Sequence, residues 1–158
     1  MTVTHAPSDA AAANLDLVRR FFACFAEGNL DELRTRLLTP DVLWEVPGRH
    51  PLAGTLRGPG EVITFFAELG RCGFRTEPLF LQADADRVVE VHRGWSARGD
   101  GTDIDLLWVL VVEITGGRIV RAQSLVSDQA AADTFFWNAY RLAPLPARLA
   151  GVGGRETS

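Results

Sequence analysis

The chain has 158 residues, 47% hydrophobic and 23% charged, which fits one globular domain with its own core and excludes disordered, collagen-like and fibrous classes. A net charge of −4 without any Lys/Arg run argues against nucleic acid or an acidic lipid surface as partner, because such binding draws its affinity from clustered cations. No apolar run reaches membrane-spanning length, and the first dozen residues lack the basic start and apolar core of a secretory leader, so the expected location is the cytoplasm and the expected partner a small hydrophobic molecule.

From about Asn14 to Glu27, Leu17, Val18, Phe21, Phe22 and Phe25 form one stripe, which predicts an amphipathic helix ending at Gly28. Asn29 with Glu32 three residues on looks like a capping box, and Leu30, Leu33, Leu37 and Leu38 carry a second helix until Pro40 stops it. A short apolar strand from Val42 then breaks at Pro47-Gly48, passes a loop holding His50, and resumes as a helix through Val62, Ile63, Phe65, Phe66 and Leu69. Four runs rich in β-formers follow, at Phe74–Ala83, Arg87–Ala97, Ile104–Thr115 and Arg118–Ser127. Their breaks, Asp84-Ala85-Asp86, Arg98 to Gly101 and Gly116-Gly117, are hairpin turns, so the four strands are expected as an antiparallel meander. Asp128 starts a last helix with Ala132, Phe135, Phe136 and Tyr140, and the Pro- and Gly-rich end reads as a tail. The expected organisation is a disordered arm over 1–13, one domain over 14–141 and a flexible tail over 142–158. Cys24 and Cys72 lie in separate elements without a CxxC pattern, which favours free thiols over a disulfide or zinc site.

Helices followed by runs of strands indicate an α+β fold with helices packed on the concave face of a curved antiparallel sheet. On Ile104–Ile114 the set Ile104, Leu106, Trp108, Leu110, Val112 and Ile114 is apolar, and so are Leu107, Val109 and Val111 on the other parity. A strand apolar on both sides is buried on both sides. One helical layer covers one face, so the outer face is expected to be covered by a second protomer in a homodimer.

The segment Val42–Phe66, with its W-x-x-P-G and P-L-A-G-x-x-x-G pattern, resembles the SnoaL-like branch of the nuclear transport factor 2-like superfamily. V-V-x-V-H-R, A-R-G-D-G, G-G-R-I and D-Q-A-A-A-D-x-F-F-W follow in the matching order, so that the resemblance covers most of Leu15–Tyr140. It implies a cone-shaped, cystatin-like α+β barrel around one apolar pocket. It also implies acid/base chemistry there, as in polyketide cyclases, ketosteroid isomerase, scytalone dehydratase and limonene epoxide hydrolase, although some members only bind or scaffold. Burial in such a pocket shifts a carboxyl or imidazole toward neutrality. A steroid-isomerase mechanism is not expected, because Val46 stands where that family's base would be, Phe21 or Phe22 where its Tyr would be, and Val109 near its partner acid. The epoxide-hydrolase Arg-x-Asp pair is likewise absent from the strand V-E-V-H-R-G-W, although His92, Arg93 and Asp128 supply similar chemical types.

Four residues are left as candidates for chemistry. Asp105 leads into an apolar strand face, or is a solvated strand-end Asp beside Asp103. Asp128 closes the last strand at the cone mouth, or is the N-cap of the helix that follows. His92 alternates with Glu90 and Gly94 and is a general acid/base or a satisfied structural histidine. His50 is a lid residue or a solvated one. Asp105, Asp128 and His92 are the expected catalytic set, and Trp44, Val46, His50, Phe22, Phe65 and Val109 the expected ligand contacts. For Trp44, core packing is the stronger of the two readings. Three scattered histidines give no metal-ligand spacing, and phosphate-cradling glycine patterns are absent, so neither a metal nor another cofactor is expected. The function expected is a cofactor-independent enzyme on a small molecule, of cyclase, isomerase, dehydratase or epoxide-hydrolase type. The alternative is a non-catalytic hydrophobic-ligand-binding or dimeric scaffold protein of the same fold.

Overall fold

A computed structural model describes residues 8–99 and 101–139. Helix α1 spans Asp9–Glu27 and so begins five residues before the expected Asn14. Residues 9–13 of the expected disordered arm are helical instead, because the alanines after Ser8 favour helix and the Ser8 hydroxyl accepts from the Ala11 N–H at 3.2 Å, while residues 1–7 lie outside the described residues. Gly28, at φ 71, ends α1 in the left-handed conformation that a side chain would disfavour. The flexible tail expected over 142–158 lies outside the described residues.

The second helix is shorter than its leucine spacing predicts. Only Leu30–Glu32 is α-helical, as α2, capped by the Asn29 side chain, and a π-helical turn over Leu33–Leu37 follows. Strand β1 then runs Leu38–Val46 straight through Pro40. It tolerates the proline because the register with its neighbour breaks between Leu38 and Leu43, where no ladder N–H is required. After the Pro47–Ala53 loop a short strand absent from the sequence reading, β2 Gly54–Arg57, pairs back on β1 before helix α3, Gly58–Arg71. The four-strand meander appears with bounds close to those expected: β3 Phe74–Ala83, β4 Arg87–Ser96, β5 Asp105–Thr115 and β6 Arg118–Val126, followed by α4 Gln129–Ala139.

The six strands form one sheet in the order β2-β1-β6-β5-β4-β3. All neighbours are antiparallel except β1 and β6, which are parallel, so the first strand joins the far end of the meander and the sheet curls round the helices. The strand period assigns the faces. Val88, Glu90, His92, Gly94 and Ser96 of β4, and Trp108, Leu110, Val112 and Ile114 of β5, are buried beneath α1 and α3. Val89, Leu107 and Leu125 on the opposite parity are exposed, as are Leu79 and Phe80 of edge strand β3. The core holds Val18, Trp44, Val62, Val112 and Phe136 at 2% exposure or less, each side chain contributing about 1.5–3 kcal/mol on burial. Cys24 and Cys72 are buried free thiols.

Candidate active site

The concave face closes on a cavity with about 60 Å³ of free space. Its floor is the sheet, through Trp44 and Val46 of β1, His92 of β4, Trp108 and Leu110 of β5, and Ser124 of β6. Its roof comes from the phenylalanine stripes of α1 and α3, and Phe136 of α4 closes one end. The aromatic rings brace one another: Phe21 stacks on Trp44 at 5.5 Å, and Phe66 meets Trp44 edge-on at 5.1 Å. Four of the expected ligand contacts, Trp44, Val46, Phe22 and Phe65, line this space.

The polar chemistry of the floor comes from a residue the sequence reading passed over. Glu90 is fully buried, and its Oε2 lies 2.7 Å from Nδ1 of His92, two residues along on the same face of β4. Burial pushes the Glu90 carboxyl above its ordinary range, and the His92 hydrogen bond draws it part of the way back. Its Oε1 bonds to no described group. The His92 ring packs edge-on against Phe22 at 5.3 Å, and no described residue hydrogen-bonds its Nε2, which is left to the cavity. With Glu90 ionised, Nδ1–H donates to the carboxylate and Nε2 carries the lone pair; the carboxylate fixes the tautomer. Two further polar atoms of residues that line the cavity, the indole N–H groups of Trp44 and Trp108, are themselves buried without a hydrogen-bond acceptor among the described residues. Trp108 lies directly across the ladder from His92. Its indole edge reaches over Gly94, where a Cβ would stand 2.6 Å from Nε1 and 2.5 Å from Cζ of Phe74. Gly94 is therefore required by the close approach of two rings rather than by its backbone angle.

The other expected site residues lie elsewhere. Asp105 is exposed on the outer face, where Arg93 holds it through two hydrogen bonds of 2.8 and 2.7 Å, and this pairing keeps its carboxyl below the usual range. Its parity was the ambiguous one, since both faces of β5 are apolar, and the helices settle on the even set. Val109 shares that outer parity and does not reach the cavity. Asp128 is exposed and caps α4, its Oδ1 accepting from the Ala131 N–H at 2.9 Å. His50 is buried in the loop after β1, where it lies 3.0 Å from the Pro47 carbonyl through Nε2 and accepts from the Leu52 N–H through Nδ1. Burial lowers its pKa, with Asp133 opposing, and its ring stacks on Phe136 at 4.4 Å. His50 thus backs the cavity wall without touching the cavity. Of the expected catalytic set, only His92 faces the space. Among the described residues no three His, Cys, Asp or Glu side chains converge as metal ligands, and no helix is long and apolar enough to cross a membrane.

The SnoaL-like domain model matches residues 18–122. The chain belongs to the SnoaL-like family. An uncharacterised protein of Mycobacterium tuberculosis, Rv0034, is 38% identical over 128 residues, covering 78% of this chain and 96% of the relative. Bal32a, from a soil-derived mobile gene cassette, is 30% identical with a TM-score of 0.75, covering 81% of this chain and 99% of that one. TerC, solved with polyporic acid, shares the fold at 22% identity and a TM-score of 0.68, over 78% of this chain and 98% of that one. Solved cystatin-like and nuclear transport factor 2-like proteins share the same fold. The segment matched by the family model runs from within α1 into β6 and includes both Glu90 and His92.

Proposed function

We propose that this SnoaL-like protein is a cofactor-independent enzyme that moves a proton on a small carbonyl compound, with His92 as the base and Glu90 as its positioning partner. The observation that carries this is the buried 2.7 Å contact between Glu90 and His92, the latter lining an apolar cavity. A base works best when its partner stabilises the cation it becomes, and a carboxylate behind Nδ1 does so for the imidazolium. The Nε2 lone pair takes a proton from the carbon next to the carbonyl. That C–H bond breaks, its electron pair becomes the enolate, and the negative charge collects on the carbonyl oxygen. The buried indole N–H groups of Trp44 and Trp108 are donors in want of an acceptor, which suits such an oxygen. Where the compound carries a double bond conjugated to the enolate, return of the proton from Nε2 to the far carbon of that dienolate completes an isomerisation; attack of the enolate on a second carbonyl within the molecule, with the proton passing from Nε2 to the new alkoxide, completes a cyclisation. Neither outcome changes oxidation state.

The test is proton exchange in D₂O followed by proton NMR, with cyclopentanone as a small enolisable probe. The protein is expected to exchange the protons next to the carbonyl well above the buffer rate, and His92→Gln to return the rate to that of buffer. Equal rates for the two proteins, with the probe bound, favour the second reading: a ligand-binding protein, which the almost wholly hydrocarbon lining of the cavity also suits. Either reading is compatible with two-fold pairing through the exposed Leu79, Phe80, Leu107 and Leu125 face.

A further inference from the structure

The inner cavity is small. Its free space of about 60 Å³ suits a compact group such as a five-membered ring with its oxygen. A second space lies against it. A cleft of about 630 Å³ opens to the surface between the end of α1, the end of α3 and the first residues of β3. Phe25, Phe66, Phe74 and Thr76 line both the cleft and the inner cavity, so the two spaces share a wall of these side chains.

Two of the four shared residues lie on β3. Phe74 and Thr76 share the inner face, after which the strand leaves the core, its register with β4 breaking between Pro78 and Phe80. Thr76 is half-buried, lines a third surface depression as well, and its hydroxyl bonds to no described residue. The cleft stays open because its helices present small residues there. A Cβ at Gly28 or at Gly70 would meet no atom within 4 Å. Ala26 and Ala67 complete the same surface, with Leu30 and Trp95 as larger apolar contacts and Glu27 and Arg75 at the rim.

Resting on the reading of the inner cavity as the site for a carbonyl group, we infer that the substrate is bipartite. A compact carbonyl head fills the inner cavity, and a larger apolar body passes the Phe25–Phe74–Thr76 wall and lies in the cleft of α1, α3 and β3. The cleft is thus a second subsite. It selects for the body of the ligand, while the inner cavity selects for its reacting head.

The test compares binding of cyclopentanone with that of 2-benzylcyclopentanone, by calorimetry, to the full chain and to Gly70→Trp. Gly70 lines the cleft and not the inner cavity, and a Cβ there would meet no atom within 4 Å, so a side chain at this position starts into open space on the cleft side. The benzyl compound is expected to bind about 10- to 100-fold tighter than the head alone, as burial of one phenyl ring implies. Gly70→Trp is expected to cut that gain to about threefold or less while leaving cyclopentanone affinity unchanged. Anomalous diffraction from 2-(4-bromobenzyl)cyclopentanone is expected to place bromine between Leu30 and Phe74. No gain in the unmodified chain, a gain that survives Gly70→Trp, or bromine in the depression beside Arg19 and Pro78 overturns the inference. Because binding is the readout, absence of proton exchange with the gain intact defeats the enzymatic reading alone; failure of both compounds to bind defeats both.

Discussion

Glu90→Gln separates the charge of the buried carboxylate from its shape. In the native protein the side chain is fully buried, with Oε2 on His92 and Oε1 unpartnered, and burial raises its pKa from the ordinary 4.5. The folded chain therefore holds this proton more tightly than the unfolded chain does. The stability it confers is complete below the unfolded value and is lost as pH rises through the folded one. Within that window the loss is about 1.4 kcal/mol per pH unit. At about 2–4 °C per kcal/mol for a domain of this size, that is a fall in Tm of about 3–6 °C per unit. Glutamine does not titrate, so the Tm of the variant relative to the native protein is expected to climb as pH rises above the glutamate range and to level off at the folded pKa. Circular-dichroism melts from pH 4 to 8 measure this directly. A difference that stays flat or shrinks across that range refutes the argument that burial outweighs the His92 contact. The same variant is expected to lose about 100-fold or more in proton exchange, because the amide offers His92 no charge to stabilise its cation.

The remaining predictions test the frame around the pair. Gly94→Ala places a Cβ 2.5–2.6 Å from Phe74 and Trp108, against an ordinary carbon contact of about 3.5–4 Å; overpacking of this kind costs about 1–3 kcal/mol, and a Tm within 1 °C of native would show that both rings yield freely. Asp128→Ala removes the α4 cap and is expected to cost about 1 kcal/mol in urea denaturation while leaving proton exchange unchanged; a loss of exchange would return Asp128 to the site. Leu107→Glu puts a charge in the exposed apolar face of β5, and sedimentation equilibrium is expected to show a native dimer whose dissociation constant rises about 100-fold or more; a monomeric native protein removes the two-fold pairing.

Much of the fold was legible along the chain because each element carries its own period. The alternating runs and tight turns of 74–127 give four strands within a residue or two of their observed ends, and the phenylalanine stripes of α1 and α3 give the roof of the cavity. Where the local signal and the tertiary demand differ, the sequence misleads. The leucines of 30–38 read as one helix, yet the chain winds into a π turn and enters β1 at Leu38, because that strand must reach β6. The four residues of β2 are too few to show a period, and their pairing exists only through β1.

The candidate site divides along the same line. Sequence alone determined the fold class, the apolar stripes that carry Phe22, Trp44 and Phe65 to the cavity, and His92 as an ionisable group on a strand. It also contained the deciding signal, a glutamate and a histidine two apart within V-V-E-V-H-R and therefore on one face. What it left open was which face. Val89, Val91 and Trp95 on the other parity are as apolar as a core requires, so the pattern permitted either side to point inward. Only the packing of α1 and α3 against the sheet decided it, burying Glu90 and His92 together and turning Asp105 and Val109 outward. A strand's period states which side chains travel together, and the layer that covers it decides which of them meet water.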